Sequence, residues 1–282
     1  MRLIFQAVWA IPNILCAVAV AVTVAGVGAA RAATDVTDLV RVLRIDDLAQ
    51  ALHEEGLAHG QSLDADMLEG RGGAHWAGQV ARIYGVRRIA TAIREALAEA
   101  LAPGQLAACI AFFDSPLGQE ILSLELAARV SMRDSATEAA ARAAYQDLRG
   151  GDDARLVAVT RFVAVNDLIE RNVAGAMSAN FQFLRGMADG EMLGLDEGGI
   201  LDQVWNAESE TRDETESWLF AYLLMAYRPL APEQLERYIA FSESPAGQAL
   251  NAALFAGFDD LYQEVSLELG QRIAAAMKAS DI

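Results

Sequence analysis

Three histidines, His53, His59 and His75, are the side chains of this chain whose chemistry is easiest to recognise. His53-Glu54 resembles the start of a zinc-protease motif, but that motif places its second histidine four residues after the first. Here His59 follows His53 by six residues. Positions on the solvent-facing side of a helix explain the histidines without a metal ion. The sequence therefore predicts no metal site.

Two further segments resemble functional motifs only in part. Residues 64–70 begin like a calcium loop, yet Leu68 stands where an oxygen ligand belongs and the glycine comes one residue late, so we interpret them as a helix end. Cys109 lies in an apolar segment, where a free cysteine usually packs as a small hydrophobic residue. The chain contains no Gly-x-Ser-x-Gly elbow, phosphate loop or dinucleotide-binding fingerprint. The sequence thus identifies no catalytic, cofactor-binding or metal-binding residue.

The pattern Ser-Pro-x-Gly-Gln occurs twice, at residues 115–119 and 244–248. A helix that starts with glycine in its first turn can hold a small anion on its free backbone N–H groups. The same residues also fit the rules for a helix start, because serine caps the helix and proline occupies its first turn. Glycine then allows a neighbouring helix to approach closely. We interpret the pattern as structural, with Ser115 and Ser244 as N-caps.

These two segments belong to an internal repeat. At a fixed offset of 129 residues, residues 101–119 and 230–248 are identical at 12 of 19 positions, against about one or two expected by chance. The offset also relates Trp76 to Trp205 and Asp38 to Asp167. It pairs the three histidines with residues that have no imidazole, namely Gln182, Ala188 and Val204. The sequence therefore predicts two tandem copies of one unit, and this unit does not require histidine.

Each copy is predicted to be a helical-bundle repeat of about 115–130 residues, because such a unit is too long for a solenoid repeat. It is either a domain of its own or half of a pseudo-symmetric bundle. The boundary falls at residues 149–153, where two glycines end one helix and an aspartate caps the next. The predicted domains are a signal peptide at residues 1–33, a first repeat at 34–149 and a second repeat at 150–282.

The second copy shows its helices most clearly. Apolar residues recur at steps of three and four after Ser244, which predicts a helix of about eight turns. These residues are Leu250, Leu254, Phe258, Leu261, Val265, Leu269, Ile273 and Met277. A short helix is predicted to start at Pro232, and a longer one to run from about Trp205 to Leu230. Glycine-rich loops are predicted at residues 69–73 and 189–199, and no segment alternates like a strand, so the fold class is all-α.

The N-terminus has the features of an export signal. Arg2 precedes an uncharged stretch at residues 3–30, and Ala30 and Ala32 form an Ala-x-Ala cleavage site. Cleavage there would leave a chain that starts near Thr34 in the periplasm. The alternative is an uncleaved inner-membrane anchor formed by residues 3–30. In either case this segment is the only part expected to engage the membrane.

The charge of the chain excludes one class of partner. It carries 22 basic and 39 acidic residues, and residues 1–33 contain two of the arginines and no acid. The remainder therefore has a net charge of −19. A phosphate backbone or an anionic lipid surface repels such a protein, so we expect no nucleic acid partner.

Two patterns in this sequence are similar to a known family. They are Ile-Ala-Phe-x-x-Ser-Pro-x-Gly-Gln, present in both copies, and the Asp-Leu pairs at Asp38 and Asp167. Together with the signal peptide, they resemble the bacterial family called domain of unknown function 2059. The resemblance implies an exported helical protein and supplies no activity, cofactor or catalytic residue.

Two classes of function remain open. The chain is predicted to be a non-enzymatic module that binds a periplasmic partner protein or an apolar ligand, without a cofactor. The alternative is an enzyme of unrecognised mechanism in a groove between the two repeats. An apolar groove would favour the first class, whereas clustered carboxylates with perturbed pKa values would favour the second.

Overall fold

The computed structural model describes residues 35–280, and every regular element in this range is an α-helix. The all-α fold class is confirmed. The helices are α1 (Val36–Val42), α2 (Ile45–Met67), α3 (Gly73–Ile83), α4 (Val86–Ala100), α5 (Pro103–Phe113), α6 (Pro116–Ser131), α7 (Ser135–Leu148), α8 (Ala154–Val165), α9 (Leu168–Asp189), α10 (Glu197–Asn206), α11 (Glu208–Tyr227), α12 (Pro232–Ser242) and α13 (Pro245–Ser280). The predicted signal peptide lies outside the described residues.

The two Ser-Pro-x-Gly-Gln segments start helices α6 and α13. The Ser115 hydroxyl accepts a hydrogen bond from the Gly118 N–H at 3.1 Å, and the Ser244 hydroxyl accepts one from the Gly247 N–H at 3.3 Å. Ser115 has an extended backbone, and each serine is followed directly by a proline in the first turn of its helix. The prediction that these serines are N-caps is confirmed.

The glycines of these segments are required by a close approach of backbone. A Cβ atom at Gly118 would lie 2.4 Å from the carbonyl oxygen of Phe112, and one at Gly247 would lie 2.3 Å from that of Phe241. The neighbour is thus the end of the preceding helix, α5 or α12. The predicted close approach is confirmed, and any side chain here must displace main-chain atoms.

Helix α13 is longer than its apolar pattern predicts. It has 36 residues, or about ten turns, and seven of the eight residues in the predicted stripe are buried, with Met277 half-buried. In the first half, the corresponding stretch breaks after Ser131, and Asp134 caps a separate helix by accepting from the Thr137 N–H at 2.8 Å. One long helix therefore stands where the first half has two.

The buried apolar side chains form one cluster with residues from both halves of the chain. Aromatic rings join the halves: those of Phe112 and Phe241 stack with centroids 4.4 Å apart. Near them, the rings of Tyr227 and Tyr238 meet edge to face at 5.5 Å. Helix α13 also packs against α4 and α5 of the first half. The core is therefore shared between the halves.

One predicted helix boundary is wrong. The helix expected from Trp205 to Leu230 is two helices, because α10 ends at Asn206 and α11 covers Glu208–Tyr227. Trp205 consequently belongs to the short helix α10, as Trp76 belongs to the short helix α3. Trp76 is buried, whereas Trp205 is 66% exposed, so only Trp76 contributes to the core.

The constant offset of 129 residues is also wrong for the first helices of each half. Arg44 and Asp167 both adopt a left-handed backbone, with φ of 55° and 54°, and each directly precedes a long helix, α2 or α9. These residues are 123 positions apart. Asp38, which the sequence paired with Asp167, lies inside α1. Counted from the left-handed residues, His59 occupies the same position in α2 as Gln182 does in α9.

Two glutamine side chains support this spacing. The Gln119 amide donates to the carbonyl oxygen of Val42 at 2.8 Å, and the Gln248 amide donates to that of Val165 at 3.0 Å. The glutamines are 129 residues apart, and their acceptors are 123 apart. The second half therefore has six more residues between these regions, and the largest single contribution is α11, which has 20 residues against 15 in α4. Across residues 35–280, no helix combines the length and apolar character that crossing a bilayer requires.

Candidate functional site

A groove of about 970 Å³ lies between helices α2, α6, α7 and α11. Most of its lining is charged. The carboxylates are Glu54, Glu55, Asp134, Glu138 and Glu214, and the arginines are Arg129, Arg133 and Arg142. Three arginines against five carboxylates leave a net charge of −2. Trp218 and Val130 contribute apolar atoms to the lining. Val130 is 47% exposed.

Ion pairs at the edge of the groove tie its helices together. Arg133, in the turn after α6, donates to Glu54 of α2 at 2.7 Å. Arg142 of α7 pairs with Glu138 on its own helix at 2.8 Å and also contacts Glu214 of α11. These partly exposed pairs contribute little stability individually, and their effect is to fix the positions of charge around the opening.

A buried ion pair forms the floor of the groove. The Arg129 guanidinium donates to both carboxylate oxygens of Glu55, at 2.8 and 2.7 Å, and the two side chains are 5% and 9% exposed. Burial by itself lowers the pKa of Arg129, but the charge and hydrogen bonds of Glu55 outweigh it, so that this pKa is raised. Two-point geometry of this kind offsets the cost of desolvating both charges.

His59 lines the groove beside this pair and lacks a hydrogen bond. The residue is 6% exposed, and its Nδ1 atom is fully covered with no hydrogen-bond partner in the described part of the chain. Burial lowers the pKa of His59 to about 4, which keeps the imidazole neutral at pH 7. The prediction of a solvated histidine is wrong at this position. An unpaired polar atom in such a place costs free energy that the fold does not recover.

The other two histidines have ordinary structural roles. His53 is half-buried, and its Nδ1 lies 2.8 Å from the carbonyl oxygen of Tyr84, to which it donates. His75 is exposed and contacts Gln79 on the next turn of α3, as predicted for a solvated histidine. No group of three His, Cys, Asp or Glu side chains within residues 35–280 is placed to hold a metal ion.

A buried carboxyl group lies one turn before Arg129 on α6. Glu125 is 8% exposed, and one of its oxygens accepts hydrogen bonds from the hydroxyls of Tyr227 at 2.7 Å and Tyr238 at 2.6 Å. The Tyr222 hydroxyl donates to the Glu125 backbone carbonyl at 3.1 Å. Burial raises the pKa of Glu125 to about 7, although the two tyrosine hydrogen bonds oppose this shift.

Glu125 does not line the groove but borders a smaller cavity behind its floor. This cavity holds about 30 Å³, which is enough for a molecule the size of water. Arg129 lines both spaces, and Arg44 and Tyr222 also line the smaller one. The groove, the ion pair and the buried carboxyl group together make up a polar region in which Arg129 borders both spaces.

The second half of the chain shows that a helix of this kind packs without buried charge. Glu125 and Arg129 lie ten and fourteen residues after the capping Ser115. At the same distances after Ser244, helix α13 carries Leu254 and Phe258, both buried. Because burying charged groups costs free energy, packing alone does not account for Glu125 and Arg129.

The other two segments singled out in the sequence are structural. Burial raises the pKa of the Cys109 thiol to about 12, and its sulfur lies 3.7 Å from the Ala246 carbonyl oxygen, so its prediction as a small buried residue is confirmed. The carbonyl oxygen of Asp64 accepts from the Leu68 and Gly70 N–H groups at 3.0 and 2.9 Å. Residues 64–70 therefore end helix α2, as predicted.

Sequence reasoning missed the polar region because its residues look like ordinary helix-surface charges. One signal was present. Glu125 and Arg129 align with Leu254 and Phe258 at the offset of 129 residues, so the same helix face is apolar in one half and charged in the other. A charged pair at positions that a second copy fills with apolar residues marks a candidate site.

The comparisons with known proteins concern the same region. A family model described as "Uncharacterized protein conserved in bacteria (DUF2059)" matches residues 87–147. This range runs from α4 to α7 and includes Glu125, Arg129 and the arginines at the groove edge. The chain is similar to that family over these helices. Its description names no activity, and neither the curated proteins nor the solved structures contain a significant match to the chain.

Proposed function

We propose that this protein is a non-enzymatic, exported binding module whose groove holds a positively charged segment of a partner protein. The observation that carries the proposal is the groove itself, which has room for several side chains and a lining of net charge −2. The whole chain has a net charge of −17, which attracts a cationic partner over a longer distance. A charged lining favours a protein segment over an apolar ligand.

The carboxylates of the groove support binding over catalysis. Hydrogen bonds from Gln50 and Arg133 lower the pKa of Glu54, and the Thr137 N–H lowers that of Asp134. Carboxylates held in the charged form are poor proton donors at neutral pH. Glu125, whose pKa is raised, borders the small cavity and not the groove.

Calorimetric titration of the purified protein with a lysine–glycine repeat peptide tests this function. We expect binding that weakens when ionic strength rises from about 0.1 M to about 1 M, because the Debye length falls from about 10 Å to about 3 Å. A glutamate–glycine repeat peptide should not bind. Absence of heat with the lysine peptide, or equal affinity for both peptides, would contradict the proposal.

A matched pair of variants locates the binding. Glu214→Gln removes a carboxylate from the groove, and Glu233→Gln removes an exposed one from the start of α12. Glu214→Gln should weaken binding by about three- to tenfold, since a partly exposed charge pair contributes about 1 kcal/mol. Glu233→Gln should leave the affinity unchanged. Equal effects of the two variants would place the peptide elsewhere.

We also propose that the two halves are tandem copies of one unit. This is supported by the 12 identities in 19 positions, the two serine caps, and the two left-handed residues before the long helices. In this interpretation, the groove and its buried polar residues belong to the first copy. The second copy has apolar residues at the positions of Glu125 and Arg129, and its helix α11 is longer than α4.

Export of the protein rests on residues 1–33. The basic start, the uncharged stretch and the Ala-x-Ala site at Ala30 and Ala32 support cleavage and release into the periplasm. We expect N-terminal sequencing of the protein from its native host to begin within a residue or two of Thr34. Recovery of Met1 on membrane-bound protein would instead support the anchor.

A further inference from the structure

The large apolar side chains that the structure leaves exposed are concentrated around helix α10. Five such residues are exposed within residues 35–280, and three of them, Leu195, Leu201 and Trp205, lie within one segment of eleven residues. Trp205 has the highest exposure of the five, at 66%. Single exposed apolar residues are common on protein surfaces, whereas a group of them on one element indicates a binding surface.

Leu201 and Trp205 are exposed on one face of α10. They are four residues apart, so their side chains are neighbours on successive turns of the helix. A different face of α10 packs on the core through Ile200 and Val204. No residue of α10 lines the groove, so the face formed by Leu201 and Trp205, called the α10 surface below, is a separate feature.

Helix α3 shows that a helix of this kind packs without these two side chains. Each helix buries two apolar residues four positions apart, namely Trp76 and Val80 in α3 and Ile200 and Val204 in α10. The residues directly after the buried ones are Ala77 and Ala81 in α3, where α10 has Leu201 and Trp205. Packing on the core therefore requires only alanine at these two positions. Large apolar side chains in water cost free energy, which a partner that covers them recovers.

The sequence around the α10 surface is acidic and contains no basic residue. Residues 186–211 have no lysine or arginine and seven acids, which are Asp189, Glu191, Asp196, Glu197, Asp202, Glu208 and Glu210. Glu197 is exposed one turn before Leu201, and Asp202 is exposed directly after it. Within residues 35–280, neither of these two carboxylates has an ion-pair partner, whereas Glu191 and Glu208 do.

We propose that the α10 surface binds a segment of a partner protein that places aliphatic side chains on Leu201 and Trp205 and basic side chains beside Glu197 and Asp202. A second copy of this chain does not suit the surface, because a symmetric contact would bring the same acidic residues together. An anionic membrane is repelled by the same charges. The inference goes beyond the proposed function, since it does not depend on the groove.

The Trp205 indole resonance in a ¹H–¹⁵N spectrum tests this surface with a lysine–leucine–glycine repeat peptide. We expect this peptide to move the Trp205 signal. The lysine–glycine peptide, which lacks apolar side chains, and a glutamate–leucine–glycine peptide should leave it unchanged. Leu201→Ala should weaken the binding read from this signal by about tenfold, because burial of the leucine side chain is lost. The variant should fold, since α3 has alanine at the corresponding position.

Two control variants show whether the effect belongs to α10. Val157→Ala removes an exposed apolar side chain from α8, and Glu214→Gln removes a carboxylate from the groove. Both should leave the affinity read at Trp205 within about twofold of wild type, as for a surface change away from the binding site. Equal weakening by Val157→Ala and Leu201→Ala would show that the peptide does not select α10, and the inference would be wrong.

Three further outcomes would overturn the inference. The first is a Trp205 signal that stays unmoved at saturating lysine–leucine–glycine peptide, or that moves equally with the glutamate–leucine–glycine peptide. The second is movement with phosphatidylcholine vesicles and not with the peptide, which would assign the surface to lipid. The third is a dimer in analytical ultracentrifugation that Trp205→Ala abolishes, which would assign it to a second copy. The groove proposal survives each of these, because its test reads Glu214 and Trp218.

Discussion

At the scale of single residues, the buried carboxyl group of Glu125 makes stability depend on pH. Its pKa is about 7 in the folded protein, against an ordinary value of 4.5, so the folded state binds the proton more tightly than the unfolded state. The stabilisation is complete below about pH 4.5 and is lost as pH rises to about 7, a change of about 3 kcal/mol.

Glu125→Gln isolates this effect. We expect urea unfolding to show that the difference in free energy of unfolding, wild type minus variant, falls by about 3 kcal/mol between about pH 4.5 and pH 7. Gln keeps an acceptor for the hydroxyls of Tyr227 and Tyr238, so the variant should fold. A difference that is constant across this range would show that Glu125 is ionised in the folded protein.

His59 shifts stability in the opposite direction over nearly the same range. Its pKa falls from 6.5 to about 4 on folding, so its contribution is present above pH 6.5 and is lost as pH decreases toward 4. The effects of Glu125 and His59 therefore largely cancel in the wild type. His59→Gln should expose the falling stability that Glu125 causes as pH rises. A variant with the same pH profile as wild type would contradict the burial of a neutral His59.

At the scale of helices, the glycines behind the two serine caps are the most specific sequence feature. Gly118→Ala should destabilise the protein by about 1–3 kcal/mol, because its Cβ would lie 2.5 Å or less from main-chain atoms of Phe112 and Phe113. Gly78 is the control, since nothing lies within 4 Å of a Cβ there and it is inside the exposed part of α3.

Thermal unfolding of the two variants checks this prediction. Gly78→Ala should stabilise the protein by up to about 1 kcal/mol, because alanine is the better helix former. Gly118→Ala should lower the melting temperature. An unchanged or raised melting temperature for Gly118→Ala would show that the contact between α5 and the start of α6 relaxes freely.

Helix starts were predictable because local rules determine them. Ser115, Ser244 and the prolines that follow use only the first turn of a helix, and the structure places them as expected. The division at Ala207, between α10 and α11, was not predictable in this way. Helix α11 is polar at its start and buried throughout Leu219–Leu223, so it shows no constant apolar stripe.

The candidate site was less predictable than the fold. Glu55 is far in sequence from Glu125 and Arg129, which lie on the same helix. The burial of these residues depends on how α11 and α12 cover α6. Periodicity reports which face of a helix is apolar, but not which charges a neighbouring helix will cover. His59 was predicted to be solvated for the same reason.

At the scale of the whole molecule, the groove exists only because the two halves pack together. Helices α2, α6 and α7 come from the first half, and α11 comes from the second. Contacts of α11 with α6 and α7, and the tyrosines around Glu125, hold this junction. The shared core therefore fixes the distance between the two sides of the groove.

The central claim is that the groove binds a cationic segment, and tryptophan indole resonances test it most directly. Trp218 lines the groove, Trp205 is exposed on α10, and Trp76 is buried with its indole donating to the Gly60 carbonyl at 2.7 Å. In a ¹H–¹⁵N spectrum, addition of the lysine–glycine peptide should move the Trp218 indole signal and leave that of Trp205 unchanged. Movement of Trp205 alone, or of neither signal at saturating peptide, would contradict the account.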